Sequence, residues 1–172
     1  LQMPEGTVSN LLVLNSKGEV IDTLTEQTNQ RLLDFGTFGN NGIWVITVDT
    51  GGISPEYKFS TYRYDPQKRI TVSHNESGQI IYRPVFGENT ISLVCSDEII
   101  AIDYTGKEQR RTRVNGYEYL ASSSGSKAED VLLAKLDAAG NRIPDFDELL
   151  CVNSQGQAFK LNVNEPVVSA AV

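Results

Sequence analysis

Two stretches near opposite ends of the chain, Leu11-Leu12-Val13-Leu14-Asn15-Ser16-Lys17-Gly18 and Leu149-Leu150-Cys151-Val152-Asn153-Ser154-Gln155-Gly156, share one pattern. Each is an apolar run followed by Asn-Ser-x-Gly. Asn tolerates the left-handed backbone of a tight turn, and Gly adopts it without steric cost. Each stretch therefore predicts a β-strand that enters a hairpin, with the returning strand over 19–24 in the first case and 157–163 in the second.

Two further hairpins are predicted between these ends. One covers 57–72 and turns at Asp65-Pro66-Gln67-Lys68, and the other covers 99–114 and turns at Asp103-Tyr104-Thr105-Gly106. The turn positions 18, 67, 106 and 156 are separated by 49, 39 and 50 residues, an average of 46. A period in the forties with a turn signal in every repeat is typical of β-propeller blades and similar arrays.

Each of the three later hairpins should be preceded by two more strands. Alternating and β-branched residues predict first strands over 31–38, 79–86 and 117–123, and second strands over 42–48, 90–96 and 130–136. Differences in unit length fall in the loop between second and third strands, which covers 49–56, 96–98 and 137–148. Insertions confined to one equivalent loop are expected of stacked repeats.

We therefore predict an all-β fold of repeated four-stranded antiparallel units, an incomplete β-propeller of about 3.5 blades. The single domain, 1–172, would comprise a hairpin over 10–24, units over 31–73, 79–114 and 117–163, and a tail over 164–172. This chain should not close a ring by itself, because the tail is too short to give the opening hairpin its two missing strands. Those strands are expected from another chain or from sequence outside this one, or the units are expected to pack as an open array that is not a propeller. We expect Val13, Trp44, Ile46, Leu93, Cys95 and Leu150 to be buried.

The stretch Ala101-Ile102-Asp103-Tyr104-Thr105-Gly106-Lys107 resembles the end of the quinoprotein-like propeller repeat, Ala-x-Asp-x-x-Thr-Gly-x-x-x-Trp. It has one residue fewer between Asp103 and Thr105, and Arg110 or Arg111 stands near the family's tryptophan. The resemblance implies a fold of the wider propeller superfamily, which includes WD40-like repeats. It does not extend to the quinone, so no cofactor is predicted.

Charge and hydropathy limit the class of partner. The chain carries 15 Lys and Arg against 22 Asp and Glu, and a net charge of −7 would repel a phosphate backbone, so no nucleic-acid partner is predicted. Apolar runs are much shorter than the ~20 residues that span a bilayer, so no membrane span is predicted. The acidic charge and the propeller style favour an extracytoplasmic bacterial protein whose signal or anchor has been removed.

Residues with catalytic chemistry are few. His74 is the only histidine, which excludes a multi-histidine metal site within one chain, and its turn-forming neighbours predict a solvated loop. Cys95 and Cys151 lie in apolar runs without metal-ligand spacing and are predicted to be unbridged thiols in different units. Arg110, Arg111 and Arg113 are predicted on a solvated outer strand. No catalytic residue or metal site is predicted, and the chain is not expected to be an enzyme.

Aromatic residues supply the candidate interaction surface. On a strand, Tyr57 shares a face with Phe59, while Tyr62 and Tyr64 share the opposite face. One set should be core, and the other could form an exposed aromatic patch of the kind that binds proteins. The predicted interaction residues are these three tyrosines together with two residues of the longest loop: Tyr57, Tyr62, Tyr64, Asp145 and Phe146.

The leading functional hypothesis is a non-enzymatic protein-interaction or scaffold module. Its partner would be another protein, or additional copies, that complete the ring. One alternative is a carbohydrate-binding or glycoside-acting propeller, which would need two channel carboxylates about 5 to 10 Å apart. A second alternative is a structural subunit of a larger surface or virion assembly.

Overall fold

The computed structural model describes residues 10–25, 27–64, 68–123, 130–141, 143 and 146–167. Over these residues the fold is all-β, with no helix and with 14 strands in four antiparallel sheets. The all-β class and the repeated four-stranded units are as the sequence pattern predicts. Within these residues, no helix is both long and apolar enough to cross a membrane.

The four sheets follow one another along the chain, and in each the strands lie side by side in chain order. The opening hairpin consists of β1 (Asn10–Leu14) and β2 (Val20–Thr25). Sheet I consists of β3 (Gln30–Phe38), β4 (Gly42–Asp49), β5 (Glu56–Tyr64) and β6 (Lys68–Ser77). Sheet II consists of β7 (Ile81–Phe86), β8 (Thr90–Cys95), β9 (Glu98–Asp103) and β10 (Glu108–Arg113). Sheet III consists of β11 (Tyr117–Ser122), β12 (Val131–Lys135), β13 (Phe146–Val152) and β14 (Ala158–Val167).

The hairpin turns are closed by local side-chain hydrogen bonds. In the turn between β13 and β14, Oδ1 of Asn153 accepts hydrogen bonds from the amides of Gln155 and Gln157 at 3.0 and 2.9 Å. Gly156 then takes a φ of 75°. The same arrangement of one Asn or Asp, two accepted amides and a glycine with positive φ recurs in the turns that begin at Asn15, Asp103 and Asp137. Because these contacts span only four residues, the turns were readable from sequence.

Each sheet of the stack has two faces, which we name by the chain direction: the upstream face points toward the preceding sheet and the downstream face toward the following one. The downstream face of sheet I packs on the upstream face of sheet II in one apolar cluster. Sheet I contributes Trp44, Ile46, Phe59 and Val72, and sheet II contributes Ile81, Ile91, Leu93, Cys95, Ile100 and Ile102.

Sheets II and III pack in the same manner. Val85, Val94, Ile99 and Val114 of the downstream side of sheet II meet Val131, Leu133, Leu150 and Val152 of the upstream face of sheet III. The outermost strands of sheets I and II, β6 and β10, also contact the hairpin turns of sheets II and III. A Cβ built on Gly106 would lie 2.5 Å from the carbonyl oxygen of Ser73 on β6, so sheets I and II approach here at a distance that only glycine permits.

Two boundaries differ from the sequence-based prediction. β6 continues to Ser77, so His74 lies within a strand and its side chain is largely buried, whereas a solvated loop was predicted. The turn-forming residues there are overridden by β5, which pairs with β6 along its whole length from Tyr64 to Glu56. β14 likewise runs to Val167 and so enters the predicted tail, of which 168–172 lie outside the described residues.

The predicted core is confirmed. Val13, Trp44, Ile46, Leu93, Cys95 and Leu150 are all buried. Ring contact strengthens the junction of sheets I and II, because Phe38 and Phe86 stack with centroids 4.7 Å apart. Cys95 on β8 and Cys151 on β13 are free thiols on different sheets, as predicted.

Candidate interaction site at the open end of the array

The opening hairpin carries apolar side chains at positions that are buried in the later units. Leu12 lies six residues before the turn glycine, as do Ile100 and Leu150 in their own hairpins. Leu12 is 55% exposed, whereas Ile100 is 0% and Leu150 is 6% exposed. In sheets II and III this position faces the preceding sheet. Leu12 is therefore an upstream-facing core position that no described residue covers.

Neighbouring positions of the hairpin show the same contrast. Leu14 is 53% exposed, while its equivalents Ile102 and Val152 are buried. Leu14 pairs across the hairpin with Val20, which is also exposed. Leu12, Leu14 and Val20 thus form an uncovered apolar patch, which we call the hairpin patch.

The turn glycine gives independent evidence. A Cβ built on Gly106 or Gly156 would collide with the outermost strand of the preceding sheet, at Ser73 in one case and Arg110 in the other. A Cβ on Gly18 would meet nothing within 4 Å, although its φ of 81° matches those of the other two glycines. The turn has the same backbone conformation in all three hairpins. Only in the first does no described residue of a preceding sheet lie against it.

β1 also has an open backbone edge. Among the described strands it pairs only with β2, whereas its equivalents β5, β9 and β13 are each flanked on both sides. The amide of Asn15 donates to the carbonyl of Glu19 across the hairpin. Because amides alternate in direction along a strand, those of Leu14 and Leu12 point to the open edge. Such an edge can pair with a strand of another polypeptide.

A cleft of about 530 Å³ lies between the end of β2 and the upstream face of sheet I. Residues from all four strands of sheet I form its floor, and Thr23 to Thr25 of β2 form its wall. The cleft is therefore on the β2 side of the hairpin. Lining residues include Gln30, Leu32, Val45, Thr47, Lys58 and Ser60.

The three predicted tyrosines separate as their alternation requires. Tyr57 is half-buried and packs against the core between sheets I and II. Tyr62 lies on the opposite face and lines the cleft beside the hairpin. Tyr64 shares that face, and its hydroxyl donates a 2.7 Å hydrogen bond to Oδ2 of Asp22 on β2. Burial, followed by this hydrogen bond, raises the pKa of Tyr64 above its usual range.

No exposed aromatic patch results, because Tyr62 and Tyr64 are both half-buried. Tyr64 instead anchors the hairpin to sheet I. Of the remaining predicted interaction residues, Asp145 lies outside the described part of the chain. Phe146 begins β13, where its backbone pairs with Val167, and its side chain is not among those described.

Sequence reasoning missed a cluster of charged groups at the outer rim between sheets I and II. Arg111 donates to both carboxylate oxygens of Glu76 on β6, at 3.2 and 2.9 Å. It also donates to Glu98 and Glu108 at 3.1 and 2.8 Å. The Glu76 side chain is only 8% exposed, and Nε2 of His74 lies 3.5 Å from it. The predicted solvated arginine is thus the centre of an intersheet ion pair.

The pKa values of this cluster follow from those contacts. Hydrogen bonds from Gln79 and then Arg111 lower the pKa of Glu98, and the hydrogen bond from Arg111 lowers that of Glu108. Arg110 lies on the opposite face of β10 and donates to the carbonyl of Ser154 at 2.9 Å. The neighbouring arginines therefore point to different sheets, as alternation on a strand requires. Glu76 lies among other polar residues of β6, so the local sequence pattern carries no signal for its pairing with Arg111.

The far end of the stack has its own apolar face. Leu132, Ala134 and Leu149 form a small cluster on the downstream face of sheet III, with Leu120, Ala121 and Cys151 packed against it. Phe159 pairs opposite Cys151 and Leu161 opposite Leu149, so both extend this face along β14. They are 49% and 45% exposed. We call Phe159 and Leu161, with Leu149 and Cys151, the tail patch.

Four other clefts lie among the described residues, and none of the five is lined by two carboxylates: Glu88 and Glu118 each line one. No group of three metal-ligating side chains occurs within the same residues. No protein-family model, curated protein or solved structure matches this chain. The functional assignment consequently depends on the geometry alone.

Proposed function

We propose that this chain is a non-enzymatic protein-interaction or scaffold module of the incomplete β-propeller kind, whose open end accepts β-structure from another polypeptide. The observation that carries the proposal is the contrast between Leu12 and its buried equivalents Ile100 and Leu150. This repeat position is core in sheets II and III, each of which follows another sheet, and is exposed in the opening hairpin, which no described sheet precedes. Burial of Leu12 would contribute about 1 to 2 kcal/mol to the free energy of binding, and burial of Leu14 about the same.

Strand addition fits the open end because two kinds of contact are available there. The edge amides of β1 can form main-chain hydrogen bonds, and the exposed side chains of Leu12 and Leu14 on the same strand can contact apolar side chains of the added segment. The matching ligand is an extended segment with apolar residues on both faces, as in the second strands of the units. β12 has this character and pairs with β13, the strand whose sequence resembles β1.

A labelled synthetic peptide of residues 130–137 tests the proposal. It should bind the chain saturably in fluorescence anisotropy and slow hydrogen exchange at residues 10–14, while exchange in β9 stays unchanged. Leu12→Pro, which removes one edge donor, should weaken binding at least tenfold, and Leu12→Ala should weaken it less. A peptide that shows no saturation up to about 1 mM, the weak limit of specific association, would contradict the proposal.

A further inference from the structure

The tail patch is a downstream apolar face, and the hairpin patch is an upstream apolar face that no described residue covers. In both internal junctions, the downstream face of one sheet packs on the upstream face of the next through apolar side chains. The array of described strands begins with an uncovered upstream face, at Leu12 and Leu14, and ends with a downstream face whose outer strand exposes Phe159 and Leu161. The two ends are therefore the two halves of one further junction of the same type.

We propose that copies of this chain associate head to tail, with the tail patch of one copy packed on the hairpin patch of the next. This inference rests on the proposed function and names its partner. It extends an interface that the fold already makes twice, so no new mode of packing is required.

Sequence similarity between the two ends supports the register. β1 and β13 share the apolar run and the Asn-Ser-x-Gly turn, so the hairpin of one copy would follow sheet III of another as sheet III follows sheet II. In the existing junction the outermost strand β10 reaches the next turn, where Thr112 donates to the carbonyl of Gly156 at 3.2 Å. At the proposed junction β14 takes the place of β10, and the open space around Gly18 would accommodate it.

The contact has a direction, because its two surfaces differ. Such heterologous contacts build rings or open filaments, whereas a patch that binds its own copy gives a closed dimer. Net charge opposes association, since each copy carries −7. Added salt should therefore strengthen it by screening the repulsion while leaving the apolar contact intact.

Two single variants and their mixture test the direction of the contact in sedimentation velocity. Wild-type mass should rise with concentration above the 18.9 kDa of one chain. Leu12→Asp and Phe159→Asp should each remain at that mass when alone. An equimolar mixture should form a one-to-one complex, because the first variant keeps an intact tail patch and the second an intact hairpin patch. Ile53→Asp, which adds the same charge in an exposed loop, should associate like the wild type.

Each result decides between defined alternatives. The proposal is overturned if the wild type stays monomeric, if Phe159→Asp still self-associates, or if the mixture gives no complex. Circular dichroism checks that each variant is folded, and Leu14→Lys with Leu161→Lys provides a second pair if one is not. Should the wild type stay monomeric while the 130–137 peptide still binds, the head-to-tail inference fails and the proposed function stands. Should neither occur, both fail.

Discussion

Removal of Arg111 should destabilise the fold by leaving a buried carboxylate without its partner. Arg111→Met deletes both hydrogen bonds to Glu76, whose side chain is 8% exposed between sheets I and II. Breaking a buried ion pair typically costs 3 to 5 kcal/mol. Because Arg111 is itself 35% exposed and solvent can replace part of the interaction, we expect about 2 to 3 kcal/mol. For a chain of this size, that corresponds to a decrease in Tm of about 4 to 12 °C.

The assay is urea unfolding followed by the fluorescence of Trp44, with a matched control and a double variant. Arg110→Met removes the same charge one residue away and loses only the bond to Ser154, so it should cost less than about 1 kcal/mol. Glu76→Met combined with Arg111→Met should recover at least half of the loss, since the buried carboxylate of Glu76 is no longer left without its partner. Equal costs for Arg110→Met and Arg111→Met would refute the reasoning, as would a double variant less stable than Arg111→Met alone.

Acidification gives a further check of the same cluster. The folded-state pKa values of Glu98 and Glu108 lie below their usual value of 4.5, so their stabilising contribution is present above that pH and is lost as the pH falls through the lowered pKa values. In Arg111→Met, Glu98 and Glu108 lose the stabilisation that comes from their hydrogen bonds to the guanidinium. The difference in unfolding free energy between wild type and Arg111→Met should therefore shrink below about pH 4.5. A difference that stays constant down to pH 3 would contradict the assignment.

Two other predictions concern the packing of sheets and the thiols. Gly106→Ala should destabilise the fold more than Gly18→Ala, because both add the left-handed strain of about 1 to 2 kcal/mol but only the former also meets the Ser73 backbone; equal losses in chemical unfolding would show that the turn does not pack on β6 in solution. In thiol labelling at pH 8, Cys151 should react first and Cys95 only on unfolding, because burial raises the pKa of Cys95 to about 12 and also raises that of Cys151, which is less enclosed. Faster labelling of Cys95 would place β8 at the surface.

The all-β class and the repeated four-stranded units were predictable from sequence because their determinants are local and repeated. The turn at Asn15 is specified by residues within four positions, and the same pattern at Asn153 revealed the period. Strand burial followed from apolar runs such as the one around Trp44 and Ile46, which pack on the following sheet. Each of these signals acts within one hairpin or one strand, so a single sequence is enough to read it.

The residues that sequence missed depend on contacts between sheets. Glu76 and Arg111 are 35 positions apart and meet only because β6 and β10 are the outermost strands of adjacent sheets. His74 was assigned to a loop because its neighbours favour turns, but β5 pairs with that segment and extends β6 through it. Alternation placed Tyr64 on the face opposite Tyr57 but left open which face would be exposed, and the hydrogen bond from Tyr64 to Asp22 of the opening hairpin was not predicted. The local pattern shows none of these partners.

Only part of the candidate site at the open end could be predicted from the sequence. The strand count predicted that the tail cannot supply two further strands to the opening hairpin, and Leu12 on that hairpin is exposed. Asp145 and Phe146 lie in the longest predicted loop, 137–148, and loop length alone does not place a side chain. The tail patch was not anticipated, since Phe159 and Leu161 alternate with polar residues that gave no sign of an uncovered face.

The chain-order arrangement of strands has a consequence for cooperativity. Among the described strands, every backbone ladder joins sequence neighbours within one sheet, and no ladder crosses from one sheet to the next. The sheets are therefore coupled only through side-chain contacts, in the manner of a linear repeat protein with nearest-neighbour terms. Amide exchange in sheet II, which packs on both sides, would then require larger openings than exchange in the hairpin, which belongs to neither apolar cluster and contacts sheet I through the hydrogen bond from Tyr64 to Asp22. Fraying would begin at Leu11 and Val13 and proceed inward one sheet at a time.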